Sequence, residues 1–338
     1  MMLVILQSGA DDKAVQHVVD RIEELGLKAH VSKGEFRTIV GAIGEERAGY
    51  PEQLSSLPGV EDVLPIMKPY KLASREFHRA DSVVEVGGVR IGGGHTALIA
   101  GPCAVEDEAR AREIARVVKS HGANMLRGGA FKPRTSPYAF QGLGEEGLKI
   151  LAGCREEFGL PVVTEVTDPR NVELVARYAD MLQIGARNMQ NFVLLSEVGK
   201  VNRPVLLKRG PSSTVKDWLM SAEYILSEGN SQVVLCERGS RGFEPEVRFS
   251  LDVSAIAAAR HDTHLPVIVD PSHAAGRREL VLPLALAGLA AGADGFIVEV
   301  HTCPEKAKCD GQQALTEALF AGLMEQTKGL LEAMGRGD

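Results

Sequence analysis

A short basic segment contains the residues most suited to binding anions. Three cations, Arg127, Lys132 and Arg134, lie within eight positions, and the hydroxyl-bearing Thr135 and Ser136 follow directly. Guanidinium and ammonium groups bind phosphate and carboxylate oxygens, and the guanidinium fork matches them in a bidentate way. Because short basic runs are also common on solvated surfaces, this segment alone leaves a plain basic loop as an equal alternative.

Four further residues have side chains that bind divalent metals: Cys103, His273, Glu299 and Asp310. They combine a soft thiol, a borderline imidazole and two hard carboxylates, a mixture that suits Mn, Fe, Co or Zn without selecting one. A single cysteine is more often a packed apolar residue than a ligand. The metal site is therefore a hypothesis that depends on whether the fold brings these side chains together.

Short apolar segments alternate with amphipathic helices from residue 96 onward. Eight such strand–helix steps predict a (β/α)8 TIM barrel rather than an open sheet. No Gly-x-Gly-x-x-Gly motif follows the first segment, which disfavours a dinucleotide-binding fold. The predicted strands are residues 97–100, 123–126, 161–165, 181–184, 204–207, 232–236, 266–269 and 295–298.

Polar residues follow the predicted strands, where this barrel carries its active sites. A strand-end arginine alone more often caps a helix or pairs with a glutamate. Like charges gathered without an anion repel one another, so five cationic strand ends predict a ligand with at least two anionic groups. The strand-end residues are Cys103, Arg127, Glu165, Arg187, Lys208, Arg209, Arg238, His273 and Glu299.

Residues 1–68 have a separate pattern that predicts a ferredoxin-like βαββαβ domain. This segment carries no nucleophile, metal-binding cluster or phosphate-binding glycine loop, so we expect a regulatory or interfacial role. Residues 69–80 are polar and contain proline, and we interpret them as a linker. We expect residues 81–338 to form a catalytic barrel with an N-terminal hairpin around Gly87-Gly88 that could close one end of it.

Composition limits the remaining classes of function. A net charge of -7 argues against a general nucleic-acid-binding protein, so an anionic ligand requires a local basic pocket. No apolar run approaches the ~20 residues of a membrane span, so we expect no membrane partner. Five cysteines without framework spacing are typical of the reducing cytoplasm.

Several motifs of the barrel resemble those of 3-deoxy-D-arabino-heptulosonate 7-phosphate (DAHP) synthase, in the class with an N-terminal ferredoxin-like regulatory domain. The resemblance covers residues 70–335, and Lys-Pro-Arg-Thr-Ser at 132–136 is its discriminating part. The alternative is 3-deoxy-D-manno-octulosonate 8-phosphate synthase, which uses arabinose 5-phosphate and typically has Lys-Ala-Asn-Arg-Ser there. The other matching motifs are Ala-Gly-Pro-Cys at 100–103, Gly-Ala-Arg-Asn at 185–188, Leu-Lys-Arg-Gly at 207–210 and Asp-Pro-Ser-His at 270–273.

The resemblance implies a reaction and a set of substrate-binding residues. The family joins phosphoenolpyruvate to erythrose 4-phosphate, the first step of the shikimate pathway to the aromatic amino acids. The residues expected to bind the phosphoenolpyruvate carboxylate are Arg127, Lys132 and Lys208. Those expected at its phosphate are Arg187 and Arg238, with Ala186 as a further substrate-binding residue. Those expected at the erythrose phosphate are Arg134, Thr135 and Ser136.

The resemblance also implies the catalytic groups. Cys103, His273, Glu299 and Asp310 are expected to bind a divalent metal that acts as a Lewis acid on the aldehyde. Manganese is the first expectation, and cobalt, iron, zinc or cadmium are alternatives. Lys132 is a candidate proton donor, with a metal-bound water as its rival, and Glu165 is expected to position the water that adds to the substrate.

Regulation and assembly are further expectations from the resemblance. In this class the N-terminal domain binds tyrosine or phenylalanine and inhibits by closing over the barrel, and the enzyme forms a homotetramer or homodimer. The chain departs from the family at Cys309, which stands where serine usually precedes the metal-binding aspartate, and at Cys303 in the strand-eight loop. These thiols could compete for metal or oxidise.

Two other classes of function fit part of the pattern. A class II aldolase-like enzyme shares the barrel and the metal but requires no second phosphate cluster. A non-catalytic sensor of phosphorylated metabolites requires the cations but not the four metal-binding residues.

Overall fold

The computed structural model describes residues 2–33, 38–44, 47, 49–65, 68–134 and 136–336. The chain divides into two compact units, with the boundary between Ala80 and Asp81. Among the described residues, no helix has both the length and the apolar character needed to cross a bilayer.

The first unit is a four-stranded antiparallel sheet with helices, as the sequence predicted. Its order is βαββαβ and its sheet order is β2-β3-β1-β4, which is the ferredoxin-like arrangement. Helix α1 begins where the Asp11 side chain accepts the Ala14 N–H, and it buries Val15, Val18 and Ile22 at helical spacing. The elements are β1 (Met2–Leu6), α1 (Asp12–Glu24), β2 (Lys28–Lys33), β3 (Thr38–Ile43), α2 (Tyr50–Ser55) and β4 (Val60–Pro65).

Element boundaries in this unit differ from the sequence prediction at a few points. Strand β2 continues to Lys33, so residues 32 and 33 of the predicted turn belong to the strand. Residues 34, 36, 37 and 66 of the predicted elements lie outside the described residues. The segment interpreted as a linker carries buried side chains, among them Leu72 and Phe77, because its apolar residues are interspersed with the polar ones that dominate its composition. The Phe77 ring lies 5.5 Å from that of His30.

The second unit is a closed barrel of eight parallel strands, which confirms the predicted TIM-barrel fold. The short hairpin β5 (Val84–Val86) and β6 (Val89–Ile91) precedes it. The strands close in the order β10-β11-β12-β13-β14-β7-β8-β9. They are β7 (Ala97–Gly101), β8 (Met125–Arg127), β9 (Val162–Glu165), β10 (Met181–Ile184), β11 (Val205–Lys208), β12 (Val233–Glu237), β13 (Val267–Val269) and β14 (Gly295–Glu299).

Helices surround the barrel and connect its strands. Most begin with a side-chain cap; Thr214 and Asp217, for example, form a reciprocal capping box at the start of α7. They are α3 (Glu108–Ser120), α4 (Glu145–Phe158), α5 (Val172–Tyr178), α6 (Phe192–Lys200), α7 (Val215–Ser227), α8 (Val253–Asp262), α9 (Pro271–Ala275), α10 (Val281–Ala290) and α11 (Glu317–Ala333).

The barrel interior is apolar at one end and polar at the other. Val84, Val86 and Ile91 of the hairpin pack in one buried cluster with strand residues such as Met125 and Ile297. The hairpin therefore seals the end at which the strands begin. The charged residues that end β8, β9, β11, β12 and β14 all lie at the opposite end, where each strand continues into a loop.

Candidate active site

A cavity of about 510 Å³ lies at the C-terminal ends of the barrel strands. We refer to it as the anion cavity because cations dominate its lining. His273, Asp310, Glu165 and Gln183 also reach it. Of the predicted strand-end residues, the structure thus brings six to one mouth: Arg127, Glu165, Arg187, Lys208, Arg238 and His273. The lining cations are Arg127, Lys132, Arg134, Arg187, Lys208, Arg238, Arg241 and Arg248.

Some of the cationic strand ends have carboxylate partners, which corrects the repulsion argument made from the sequence. Lys208 is paired with Asp270, and both side chains are buried. Arg209 does not line the anion cavity; its Nη1 lies 2.8 Å from Glu237 and 3.1 Å from Asp252. Acidic residues on neighbouring strand ends neutralise these cations. The number of cationic strand ends alone therefore overstates the negative charge that a ligand must supply.

Other cations of the cavity use weaker partners and keep their charge available. Arg187 donates to the Pro133 carbonyl at 2.6 Å, and Lys132 Nζ donates to the Cys103 carbonyl at 3.1 Å. Arg134 contacts the Cys309 sulfur at 2.6 Å. Because a carbonyl or thiol leaves most of the positive charge uncompensated, these side chains form a site suited to anions.

The four predicted metal donors come together at the edge of the anion cavity. One donor atom from each of Cys103, His273, Glu299 and Asp310 lies within 4.8 Å of all the others. We refer to these residues as the metal-donor cluster. One thiol, one imidazole and two carboxylates converging from separate chain segments fit a divalent transition metal.

Neighbouring groups orient the donors toward one point. Asp270 Oδ2 lies 2.8 Å from His273 Nδ1, which leaves Nε2 directed at Glu299 Oε1, 3.3 Å away. Glu299 is held on its other oxygen by Gln313 Nε2 at 2.7 Å, and on Oε1 by Arg127 at 2.6 Å. Such hydrogen bonds fix the orientation of metal ligands in proteins. Asp270 and Gln313 were not predicted as functional, because their role is to hold other side chains.

Backbone geometry and pKa shifts also favour ligation. Asp310 has a φ of 51°, the only non-glycine residue of the described chain with a positive φ, and such conformations concentrate at functional sites. Burial raises the pKa of Asp310, but His273, the Cys103 thiol and Lys132 outweigh it and lower the pKa to about 2. Burial lowers the pKa of His273, which favours the neutral imidazole that binds metals.

Glu165 lies beneath the cavity with few partners. Gln183 Nε2 is 3.4 Å from its Oε2. Gly185 makes room for it, because a Cβ at that position would lie 2.0 Å from Glu165 Oε1. The carboxylate thus faces the cavity with one oxygen free of strong hydrogen bonds among the described residues.

The structure adds residues that the sequence reasoning did not select. Arg241, Arg248 and Phe249 line the anion cavity from the long loop after β12. The spacing Arg-Gly-Ser-Arg at 238–241 was an available signal for the first of them. Of the predicted residues, Ala186 and Ser136 line the cavity, and Thr135 lies outside the described residues.

Comparison with known proteins assigns the chain to a family. Residues 72–333 match the DAHP synthetase I family, and residues 2–68 match the DAHP synthase ferredoxin-like domain. The chain belongs to the DAHP synthetase I family. As a DAHP synthase it is a transferase, which agrees with the resemblance seen in its motifs.

Relatives of this DAHP synthase cover both of its units. Phospho-2-dehydro-3-deoxyheptonate aldolase of Thermotoga maritima is 50% identical over 334 residues, which is 99% of each chain. A crystal structure of the Thermotoga maritima DAHP synthase superposes with a TM-score of 0.79 at 49% identity, covering 99% of this chain and 98% of that one. A truncated form of the enzyme from the same organism covers 79% of this chain with a TM-score of 0.74.

The sister enzymes are more distant from this DAHP synthase. The 2-dehydro-3-deoxyphosphooctonate aldolase of Syntrophotalea carbinolica is 35% identical over 252 residues, or 69% of this chain and 90% of its own. The main prediction from the Lys-Pro-Arg-Thr-Ser motif, DAHP synthase rather than the octulosonate enzyme, is therefore confirmed.

Proposed function

We propose that the chain catalyses the condensation of phosphoenolpyruvate with erythrose 4-phosphate to give DAHP and inorganic phosphate, the first step of the shikimate pathway. The observation that carries the proposal is the anion cavity bordered by the metal-donor cluster. The two substrates bring two phosphates and one carboxylate. Their charges complement the cationic lining.

Phosphoenolpyruvate is proposed to bind in the deeper part of the anion cavity. Arg127 and Lys208 are buried at strand ends, which supports their assignment to the carboxylate, and Lys132 extends over the same region. Arg187 and Arg238 are assigned to its phosphate, with Ala186 beside them. This assignment is supported by the lack of a carboxylate partner within 4.0 Å of either guanidinium among the described residues.

Erythrose 4-phosphate is proposed to bind nearer the rim. Arg134 and Ser136 line the cavity on the loop after β8. Thr135, which lies outside the described residues, is the third residue assigned to this phosphate. Arg134 approaches the cluster end of the cavity through its contact with Cys309. An aldehyde phosphate held there has its carbonyl carbon directed inward, toward the other substrate.

The metal-donor cluster is proposed to hold a divalent ion, with manganese as the first expectation and cobalt, iron, zinc or cadmium as alternatives. Cys103, His273, Glu299 and Asp310 would supply the ligands. When bound, such an ion polarises the aldehyde carbonyl as a Lewis acid.

Side chains of the cavity donate a proton, orient a water molecule and bind the leaving phosphate during the reaction. C3 of phosphoenolpyruvate attacks the aldehyde carbon, a C–C bond forms, and the aldehyde oxygen takes a proton from Lys132 Nζ. Burial alone would lower the pKa of Lys132, but the Cys103 and Cys309 sulfur atoms and Glu165 outweigh it and raise the pKa, so Lys132 remains a cation. Glu165 orients the water that adds at C2, and as this water becomes the C2 carbonyl one of its protons restores Lys132 and the other leaves with the phosphate. The C–O bond to phosphate then breaks, and Arg187 and Arg238 retain the leaving phosphate.

The N-terminal unit is proposed to bind tyrosine or phenylalanine as a feedback effector. Its match to the DAHP synthase ferredoxin-like domain supports this role. A homotetramer or homodimer is the proposed assembly, supported by an exposed apolar patch in which Phe192 and Tyr224 stack at 4.4 Å beside Val193. The cytoplasm is the proposed compartment, since all five cysteines are free thiols.

A phosphate-release assay tests the proposed function. The protein is incubated with phosphoenolpyruvate and either erythrose 4-phosphate or arabinose 5-phosphate, after chelation and after each metal is added back. We expect phosphate release with erythrose 4-phosphate and a metal, and none with phosphoenolpyruvate alone. Faster release with arabinose 5-phosphate would identify the octulosonate enzyme instead. Phosphoenolpyruvate binding without release would indicate a sensor.

A further inference from the structure

Arg238 differs from other buried cations of the anion cavity in what surrounds its guanidinium group. It is only 6% exposed. Arg127 and Lys208 are equally buried, but they pair with Glu299 and Asp270. Within the part of the chain that the structure describes, Arg238 has no hydrogen bond and no ion pair within 4.0 Å. Burial accordingly lowers its pKa, and Asp270 attracts it only at longer range.

The aromatic ring of Phe249 occupies the place that a carboxylate has at Arg127 and Lys208. The guanidinium carbon of Arg238 lies 4.3 Å from the ring centroid, within the ~6 Å range of a cation–π contact. Both side chains line the anion cavity. A ring face attracts the positive charge without neutralising it. The five N–H donors of Arg238 therefore stay available to an anion.

The backbone of Phe249 is held by hydrogen bonds to helix α9 and within its own loop. Its backbone N–H donates to the Ala274 carbonyl at 2.8 Å, and Ser240 and Ser250 exchange two backbone hydrogen bonds of 2.9 Å. Gly239 allows Phe249 to lie close to the start of the loop, because a Cβ on residue 239 would be 2.7 Å from the Phe249 Cβ. The φ of Gly239 is +91°, which also favours glycine. The backbone that carries the ring is thus fixed by contacts that do not involve Arg238.

We propose that Phe249 is a positioning residue that holds the Arg238 guanidinium toward the anion cavity for the phosphate of phosphoenolpyruvate. The inference rests on the proposed function, in which Arg238 binds that phosphate. It extends that function by a residue that acts through Arg238. Loss of the aromatic face should weaken phosphoenolpyruvate binding and leave the aldehyde site and the bond-making groups unchanged.

Substitutions that keep or remove the aromatic face test the proposal. Phe249→Leu and Phe249→Met remove it and stay apolar, whereas Phe249→Tyr keeps it. We expect the KM for phosphoenolpyruvate, and its calorimetric Kd in the metal-loaded enzyme, to rise roughly 2- to 30-fold in the first two variants. The KM for erythrose 4-phosphate and kcat should change by less than about twofold, and the tyrosine variant should behave as wild type.

A double-mutant cycle with Arg238→Ala separates positioning from packing. If Phe249 acts through Arg238, then Phe249→Leu should add nothing to the phosphoenolpyruvate defect of Arg238→Ala. Three outcomes would overturn the proposal. They are an undiminished effect of Phe249→Leu in the Arg238→Ala background, an equal rise in the KM values for both substrates, and weakened phosphoenolpyruvate binding by Phe249→Tyr. The proposal would also be overturned if Phe249→Leu and Phe249→Met did not melt cooperatively while Phe249→Tyr did, because the ring would then be required for folding.

The controls distinguish this inference from the proposed function. Wild-type enzyme that releases phosphate from the two substrates, combined with Phe249 variants of unchanged KM, would remove only the inference. Wild-type enzyme without synthase activity would remove the proposed function, whatever the Phe249 variants do. Phe243→Leu is a matched control on the same loop, since Phe243 is fully exposed and does not line the anion cavity.

Discussion

Arg127 Nη1 donates a hydrogen bond of 2.6 Å to Glu299 Oε1, and this contact joins a proposed substrate-binding cation to a proposed metal ligand. Their side chains are 4% and 1% exposed. Removing one partner of a buried ion pair leaves the other charge without compensation, which costs about 3–5 kcal/mol. The stability of the barrel is therefore coupled to the integrity of the site.

Glu299→Gln should destabilise the metal-free protein more than Asp310→Asn does. Both substitutions remove a carboxylate from the metal-donor cluster, but Asp310 is not paired with a buried arginine. We expect the free energy of unfolding, measured with urea in chelator, to fall by about 3–5 kcal/mol for Glu299→Gln. Equal losses for the two variants would contradict the coupling between Arg127 and Glu299.

Metal removal should abolish turnover and leave the fold intact. His273→Ala should do the same, because it deletes a donor that Asp270 orients toward the cluster. Calorimetric metal titration should show tight binding by wild type and a loss of about 10- to 100-fold or more in the variant. His301→Ala is a control, since His301 is also buried after β14 but is not part of the metal-donor cluster. Full activity of stripped protein in excess chelator would exclude a metal requirement.

The two phosphate sites should respond separately to substitution. Arg134→Ala should raise the KM for erythrose 4-phosphate, and Arg187→Ala should raise that for phosphoenolpyruvate. The loss of one charge-assisted phosphate contact costs about 1.5–3 kcal/mol, roughly a tenfold to hundredfold change in apparent affinity. Steady-state kinetics with each substrate varied in turn measures both values. If Arg134→Ala weakened phosphoenolpyruvate alone, the assignment would have to be reversed.

Cys103 and Cys309 should form a reversible disulfide when the metal is absent. Their sulfur atoms lie 3.1 Å apart, so little movement brings them within bonding distance. Peroxide as oxidant takes two electrons from the two thiols and is reduced to water, and a dithiol reductant reverses the change. Peptide mass spectrometry of the oxidised, metal-free protein should detect the link. Cys309→Ser is the control, and metal-loaded protein should resist oxidation.

Deletion of the N-terminal unit should separate regulation from catalysis. A chain beginning near Leu72 should retain synthase activity and lose inhibition by tyrosine or phenylalanine. The truncated Thermotoga maritima enzyme, which covers 79% of this chain, supports the expectation that such a chain folds. A coupling free energy of about 1–3 kcal/mol between effector and substrate sites is typical. Full-length enzyme that ignores both amino acids would show that this unit is not their sensor.

Local patterns in the sequence were sufficient for the architecture and for the types of residue at the site. Short continuous apolar segments define the barrel strands and period-3.6 apolar spacing defines the helices, and regular strand–helix alternation leads to a parallel barrel. Since the strands of a parallel barrel end on one face, Arg127, Lys208 and Glu299 could be assigned to a common mouth before any distance was known.

Only the tertiary structure decided which charges meet and which remain available. Arg209 and Arg238 both follow strand ends and look equivalent in the sequence, yet Arg209 pairs with Glu237 whereas Arg238 rests on Phe249. Asp270 and Gln313 gain their roles from residues distant in the chain that they orient. Such pairings depend on side-chain direction and on the path of long loops. Local sequence spacing does not encode either of these, because they follow from packing among segments far apart in the chain.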